Sequence, residues 1–413
     1  MNANRRAVLA AGAAWAGLPS LARAQTGGQT GTQPAIRLGV ITDMAGPYGD
    51  LAGPGSVQAV RQAVQEAAGL GLKVEIVAAD HQNRPDVAAN LARQWLDRDG
   101  IDALIDVPTS SAALAVSGIV REKNKVFLGS AVGTSELTGA QCSPNTVQWT
   151  YDTWMLANST GGALVKAGGD SWYFVTVDYA FGHAVEAEAT RFIQAAGGKV
   201  LGSSRFPFPG TTDFSAFLLR AQASRAKVVA LACGGADMIN AVKQAAEFGL
   251  ARRGQRVAAL LMFISDVHAL GLGAAQGSVC SETFYWDLND RSRAFSARMR
   301  ASHGMGAPTM VHAGCYAATL HYLKAVADMG AAAAKADGAA VVARMKAMPT
   351  DDDAFGAGRI RADGRKIHPA YLFEVKSPAE SRGPYDYYKL LQTTPAEQAF
   401  RPEAEGQCSL VRS

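Results

Sequence analysis

From Ile36 onward, short apolar runs rich in Val, Ile and Leu alternate with longer stretches whose apolar residues recur every three or four positions. The first pattern predicts strands and the second amphipathic helices. Strands are expected at IRLGVIT (36–42), KVEIVAA (73–79), DALIDV (102–107) and KVFLGS (125–130), with helices near 53–68, 86–98 and 111–122 between them. After a helix near 153–167 the series repeats with WYFVTV (172–177), KVLGSSRF (199–206), KVVALAC (227–233) and VAALLMFI (257–264). Helices near 182–196, 213–224 and 236–249 separate these. Such alternation means βαβ units around parallel sheets, and two series mean two α/β lobes. The last third differs: Ala-rich helices near 289–303, 308–329 and 336–347 precede strand-like YLFEVK (371–376) and YDYYKLL (385–391), elements expected to be shared between the lobes.

Composition fixes the class and excludes others. The 413 residues are 48% hydrophobic and 18% charged, which makes a globular chain of two or three domains and excludes disorder and fibre. Lys and Arg number 40 against 36 Asp and Glu, and Arg5, Arg6 and Arg23 supply three of the four excess positive charges. The body is therefore nearly neutral and has no electrostatic case for binding nucleic acid or coating an anionic membrane.

The first 24 residues read as a leader. Arg5-Arg6 precedes an apolar run from Ala7 to Leu18, then Pro19, then Ala22-Arg23-Ala24, the order of a secretory signal cleaved after Ala24. The run has 12 residues, whereas a spanning helix needs about 20. The stretch 4–9 also resembles a twin-arginine export signal, with Val8 in place of the usual Phe and no following Lys, so both export routes stay open. The first cysteine is Cys142, so the cleavage point offers no lipid attachment. Residues 25–35, QTGGQTGTQPA, have little to bury and are expected to form a flexible tether. No later stretch approaches 18 uninterrupted apolar residues, so the expectation is an exported periplasmic protein without membrane insertion.

Open α/β sheets bind ligands beyond the carboxyl ends of their strands. In the first series those loops are Asp43-Met44-Ala45-Gly46-Pro47-Tyr48-Gly49, Pro108-Thr109-Ser110-Ser111 and Ala131-Val132-Gly133-Thr134-Ser135. In the second they are Asp178-Tyr179-Ala180-Phe181-Gly182, Gly234-Gly235-Ala236-Asp237 and Ser265-Asp266-Val267-His268. All are small and polar, as a carboxylate cradle of N–H and hydroxyl groups requires. A plainer reading stands beside each, since Thr109 to Ser111 and Asp237 sit where helix caps belong and Gly234-Gly235 suits a turn.

In order and spacing, IRLGVITDMAGPYGD, SAVGTSELTG, VDYAFGHAVEAEA, DFSAFLLRAQ and VKQAAEFGL together resemble the type I periplasmic solute-binding proteins of ABC importers, in the branch of the leucine/isoleucine/valine-binding protein. The resemblance implies two doubly wound parallel-sheet lobes joined by three hinge crossings, here near Tyr151, Trp286 and Thr350, with the ligand in the cleft. The N-terminal lobe is then 36–151 plus 287–350 and the C-terminal lobe 152–286 plus 351–413. It also implies a protein that is not an enzyme, needs no cofactor, and delivers a small organic carboxylate to a membrane permease and, through it, to an ATPase; a monomer is assumed.

Residue by residue, the resemblance makes Thr109, Ser110 and Ser111 the carboxylate cradle. Asp266 matches the acid that receives an α-ammonium, and could equally accept a ligand hydroxyl. Phe181 stands where amino-acid binders often place a Tyr over the ligand. Gly133 replaces a Thr that helps hold the ammonium, which turns the expectation from amino acids toward benzoate-like or phenylpropanoid acids. Tyr48, Trp149, Tyr179 and Phe181 are candidate ring walls, burial in the core being the commoner fate of a Trp such as Trp149. Ala131, Val132, Thr134, Asp178, Gly234, Gly235 and Ser265 complete the expected lining. The carboxylate docks first on the Thr109–Ser111 lobe, and Asp266 with the 178–181 loop closes over it. A soluble sensor that feeds a signalling receptor or kinase is the competing reading.

Of the five cysteines, Cys233 and Cys280 lie in apolar strand patterns and Cys315 in an apolar helix, which suits buried thiols. Cys142 and Cys408 lie in loop-like CSPN and GQCS, and a disulfide between them is expected. The seven histidines show no ligand spacing for zinc. Ser265-Asp266-Val267-His268 holds the residue types of a hydrolase triad, but neighbours on one turn rarely reach that geometry, and neither a G-x-S-x-G elbow nor a phosphate-binding G-x-x-x-x-G-K-[ST] occurs.

Overall fold

The computed structural model describes residues 34–411. The leader 1–24, its cleavage point and the tether as far as residue 33 lie outside the described residues.

The first series runs β1 (Ile36–Thr42), α1 (Gly53–Glu66), β2 (Val74–Asp80), α2 (Pro85–Asp97), β3 (Ala103–Asp106), α3 (Ser110–Glu122), β4 (Val126–Gly129) and β5 (Thr146–Gln148). Its strands form one parallel sheet in the order β2-β1-β3-β4-β5. β3 and β4 are buried along their whole length, because helices cover both faces of a parallel sheet.

The second series runs α4 (Thr153–Lys166), β6 (Ser171–Val177), α5 (Ala180–Ala195), β7 (Lys199–Phe206), α6 (Ser215–Ala223), β8 (Val228–Ala232), α7 (Ala236–Glu247), β9 (Arg256–Ala259), α8 (Ile264–Leu270), α9 (Leu272–Ala275) and β10 (Val279–Glu282). Then follow α10 (Asp290–His303), α11 (Met310–Met329), α12 (Ala331–Ala336) and α13 (Gly338–Ala347). A small hairpin, β11 (Arg359–Ile360) with β12 (Lys366–Ile367), precedes β13 (Ala370–Val375), β14 (Tyr388–Thr394) and α14 (Ala396–Ala399). The second sheet has the order β14-β13-β10-β9-β8-β6-β7, with β13 and β14 antiparallel to the rest.

The late helices return to the first lobe, where α10 and α11 pack on α1 and α11 also meets β3 and β4. Of the stretch 351–413, only β13 and β14 join the second sheet. Arg365 next to β12 bridges to Gln148 of β5, and the tail returns to the first lobe, where Cys408 forms a disulfide with Cys142 across a Cα separation of 5.6 Å. Cys233, Cys280 and Cys315 are buried free thiols.

Two strand limits differ from the sequence pattern. The run 257–264 stops pairing after Leu260, whose N–H meets Leu231 O at 3.0 Å; the Asp266 carboxylate then takes the Phe263 N–H at 2.9 Å and starts α8. The expected strand 385–391 begins only at Tyr388, because Tyr385 adopts a left-handed φ of 67°. No helix among the described residues is long and apolar enough to cross a membrane, and no cluster of metal-ligating side chains occurs among them.

Candidate cleft between the lobes

Three strand ends of the first sheet and two of the second line one narrow cleft, as the crossover geometry of parallel sheets dictates. From the first lobe and hinge its lining is Tyr48, Leu51, Pro108, Thr109, Ser110, Ala131, Gly133 and Tyr151. The second lobe contributes Tyr179, Phe181 and Leu261. None of these side chains carries a formal charge, so the polar chemistry belongs to hydroxyls and backbone amides.

Ser110 opens α3, and the first-turn N–H groups of that helix, which no intrahelical carbonyl can satisfy, point toward the cleft end. Its Oγ accepts the Thr134 N–H at 3.1 Å, which leaves the hydroxyl hydrogen free to donate. Tyr151 forms part of the floor and donates its hydroxyl to Ala131 O at 3.1 Å.

The lobes touch across the cleft. The hydroxyls of Tyr48 and Tyr179 are 2.7 Å apart, and Phe208 stacks on both rings, with centroids 5.6 Å and 4.8 Å away. Ala236 N–H donates to Pro47 O at 2.9 Å. Gly235, at φ 60°, caps α7 so close to the first lobe that a Cβ would lie 2.2 Å from Pro47 O. At Gly133 a Cβ would stand 2.5 Å from the Phe181 ring and 3.5 Å from Ser110 Oγ. Both glycines are therefore points where one lobe's backbone receives the other.

Of the residues picked from sequence, Tyr48, Thr109, Ser110, Ala131, Gly133, Tyr179 and Phe181 share the lining. The others lie apart from it. Ser111 is half-buried one position further along α3. Val132 packs in the first-lobe core, and Thr134 caps the turn at Ser135 by accepting the Glu136 N–H. Asp178 is exposed and paired with His183 at 2.7 Å. Gly234 packs behind Leu261, and Gly235 is the α7 cap. Ser265 and Asp266 belong to α8, where Asp266 is spent on the helix start, so the cleft residue after β9 is Leu261. Trp149 is fully buried in the hinge with its ring against His321. Leu51, Pro108, Tyr151 and Leu261, with Phe208 over the mouth, were not singled out from sequence. For Phe208 a signal existed, an aromatic in the loop Phe206-Pro207-Phe208-Pro209 at the carboxyl end of a strand.

Two second-lobe acids stand where the lobes meet, Asp237 buried and Glu188 half-buried. Asp237, in the first turn of α7 under Pro47 and Tyr48, is 3% exposed and faces Tyr48, Tyr179 and Cys233 without a cation; burial pushes its carboxyl up to about 7. Glu188 of α5 accepts the Ser135 hydroxyl of the first lobe at 2.6 Å. Burial raises it to about 7, against the opposing effect of Ser135, Thr153 and Arg401 and with the help of Asp152. Parting the lobes exposes both, which returns them toward the ordinary carboxylate value near 4. The closed form therefore holds more protons and is penalised as pH rises from about 4 to about 7. Benzoate, ionised throughout the upper part of that window, is expected to bind about tenfold more weakly at pH 7.5 than at pH 5.5, and Asp237→Asn is expected to flatten the dependence. Calorimetric titration at the two pH values checks this; equal affinities in the parent protein would refute it.

A sequence profile of the periplasmic binding protein family matches residues 35–383. Among solved structures, a periplasmic binding protein from Burkholderia mallei is 44% identical over 92% of this chain and 99% of its own, with a TM-score of 0.86. A branched chain amino acid ABC transporter periplasmic ligand-binding protein from Burkholderia xenovorans is 38% identical over 91% and 99%, with a TM-score of 0.80. An ABC transporter solute-binding protein from R. palustris in complex with benzoate shares the fold at 22% identity, covering 88% and 97%, with a TM-score of 0.78. No curated protein matches. Solute-binding proteins of this kind are not enzymes.

Proposed function

The chain belongs to the periplasmic binding protein family, and from that premise we propose that it captures an aromatic carboxylate between its lobes and presents the closed complex to a membrane ABC permease. The observation that carries the ligand class is the lining: phenol and phenyl rings with Leu51 and Leu261 around a single hydroxyl-and-amide corner at Ser110, without a charged side chain. A carboxylate suits the free Ser110 hydroxyl and the positive end of α3. A flat ring suits walls made of Tyr48, Tyr179 and Phe181.

An α-ammonium finds little here. Gly133 brings no side chain, Ala131 O already receives the Tyr151 hydroxyl, and Asp266 lies outside the lining, with one oxygen on the Phe263 N–H that opens α8. The benzoate complex of the R. palustris protein supports a ligand of this type within the fold, while the description of the B. xenovorans protein as a branched chain amino acid transporter component makes leucine-like acids the competitor. Export to the periplasm with cleavage after Ala24, and an oxidised Cys142–Cys408 pair in the mature protein, belong to the same reading.

Ser110→Ala tests the cradle. Loss of a buried donor to a charged group is expected to weaken benzoate binding by about 1–3 kcal/mol, with Ser111→Ala close to the parent value. Calorimetry that finds the Ser110 variant unchanged removes that residue from the site.

A further inference from the structure

The corner of the cleft at Thr109 is held by a chain of buried groups drawn from three strand ends. Asp43 follows β1, His81 and Asn83 follow β2, and Thr109 follows β3; all four are at most 7% exposed. Asp43 accepts three N–H donors: Gly46 N at 2.7 Å, Tyr48 N at 2.8 Å and Asn83 Nδ2 at 2.5 Å. A carboxylate there can only face the amide nitrogen of Asn83, so Asn83 turns its Oδ1 the other way. That oxygen takes the Thr109 hydroxyl hydrogen at 2.6 Å. Beside it, His81 Nδ1 accepts the Asn83 N–H at 3.2 Å, which leaves Nε2 protonated and donating to Pro108 O at 2.6 Å. These bonds hold a backbone that few residues adopt, with φ of 81° at Asp106, 58° at Val107 and 81° at Thr109.

The chain fixes the hydrogen-bonding sense of the two adjacent hydroxyls. Thr109, a lining residue, has given its one hydrogen to Asn83, so its oxygen has only lone pairs left to offer a ligand. Ser110 has accepted the Thr134 N–H and keeps its hydrogen for the ligand. The corner is thus an acceptor next to a donor. A bare carboxylate satisfies Ser110 and the α3 amides but meets the Thr109 oxygen with a like oxygen. A carboxylate with a hydroxyl on the neighbouring carbon satisfies both. An ammonium in that place would bring a full positive charge to one neutral oxygen, with no carboxylate in the lining to receive it.

We infer that the cleft selects a carboxylate whose adjacent carbon carries a hydroxyl group, and that Asn83 and Asp43 are the positioning residues that impose this choice by orienting Thr109. The inference rests on the carboxylate reading of Ser110 but not on the aromatic one.

The test is competitive calorimetry with two matched pairs, phenylacetate against 2-hydroxy-2-phenylacetate and 4-methylpentanoate against 2-hydroxy-4-methylpentanoate. The hydroxylated member is expected to bind about tenfold tighter, because it pairs a buried acceptor that its partner leaves unpaired. The ratio within a pair is expected to fall to near one in Thr109→Val and in Asn83→Leu, which returns the Thr109 hydrogen to the cleft, and to be kept in Thr109→Ser. Preference in the aliphatic pair with no binding of either phenyl acid overturns the aromatic reading and upholds this one. A ratio near one in every pair that binds, a preference that survives Thr109→Val, or no binding of any of the four overturns it.

Discussion

Arg365→Ala is expected to lower the free energy of unfolding by about 3–5 kcal/mol, the cost of breaking a buried charged network from one side. Arg365 is fully buried at the hinge. Its guanidinium donates to the carbonyls of Trp149 at 3.1 Å, Thr150 at 2.7 Å and Tyr151 at 3.0 Å, and stands 4.0 Å from the centre of the Phe400 ring. Asp152, at 3.6 Å, supplies the nearby negative charge. The physical need is local: residues 149–151 have left the first sheet and not yet entered α4, so their carbonyls have no strand to pair with. A single planar fork satisfies three of them without a ladder that would stiffen the crossing. The neighbouring His368 takes the same role at Trp149 O through Nε2 at 2.9 Å. Arg365→Met should fare little better than Ala, since an apolar side chain leaves Thr150 O without a donor and takes one donor each from Trp149 O, which keeps His368, and Tyr151 O, which keeps Gln148 Nε2 at 3.2 Å. Urea denaturation measures the change, and a loss below about 1 kcal/mol would show that the hinge is held by something else.

Gly133→Thr is expected to act oppositely, on binding and not on stability. Its Cβ would meet the Phe181 ring at 2.5 Å, so the lobes cannot close to the observed contact unless the ring or the backbone gives way. Overpacking of that degree costs about 1–3 kcal/mol, which weakens aromatic-acid binding by roughly five- to 150-fold. The melting temperature of the ligand-free protein should hold, because separated lobes relieve the clash. Phe181→Ala in the same chain removes the obstructing ring and is expected to recover part of the loss. Undiminished affinity in Gly133→Thr would mean that the Gly133–Phe181 contact is no part of the bound state.

Much of this was legible in the sequence, because the parallel strands of such a sheet are buried on both faces and read as unbroken apolar runs. IRLGVIT marks β1 to the residue, while β7 at the sheet edge, exposed at alternate positions, was legible as KVLGSSRF from its β-rich composition between two helices. The loops that follow β1, β3, β4 and β6 likewise delivered Tyr48, Thr109, Ser110, Gly133 and Phe181. Failures came where one side chain redirects the backbone or pairs at long range. Asp266 looked like a loop acid at the end of an apolar run, yet its carboxylate stops the strand and starts a helix, so Leu261 takes the cleft position. Arg365 reads as a surface residue, and only its meeting with Trp149, 216 residues away, makes it the hinge core. Asn83 sits in an ordinary turn sequence, and its importance depends on the distant Asp43 and Thr109.

The most direct test of the central claim is calorimetric titration of the mature protein with benzoate and with leucine. The geometry of Ser110, Gly133 and the phenol-lined walls requires saturable one-site binding of benzoate and no heat beyond dilution from leucine. Saturable leucine binding with a silent benzoate titration would contradict it and return the cleft to an amino acid.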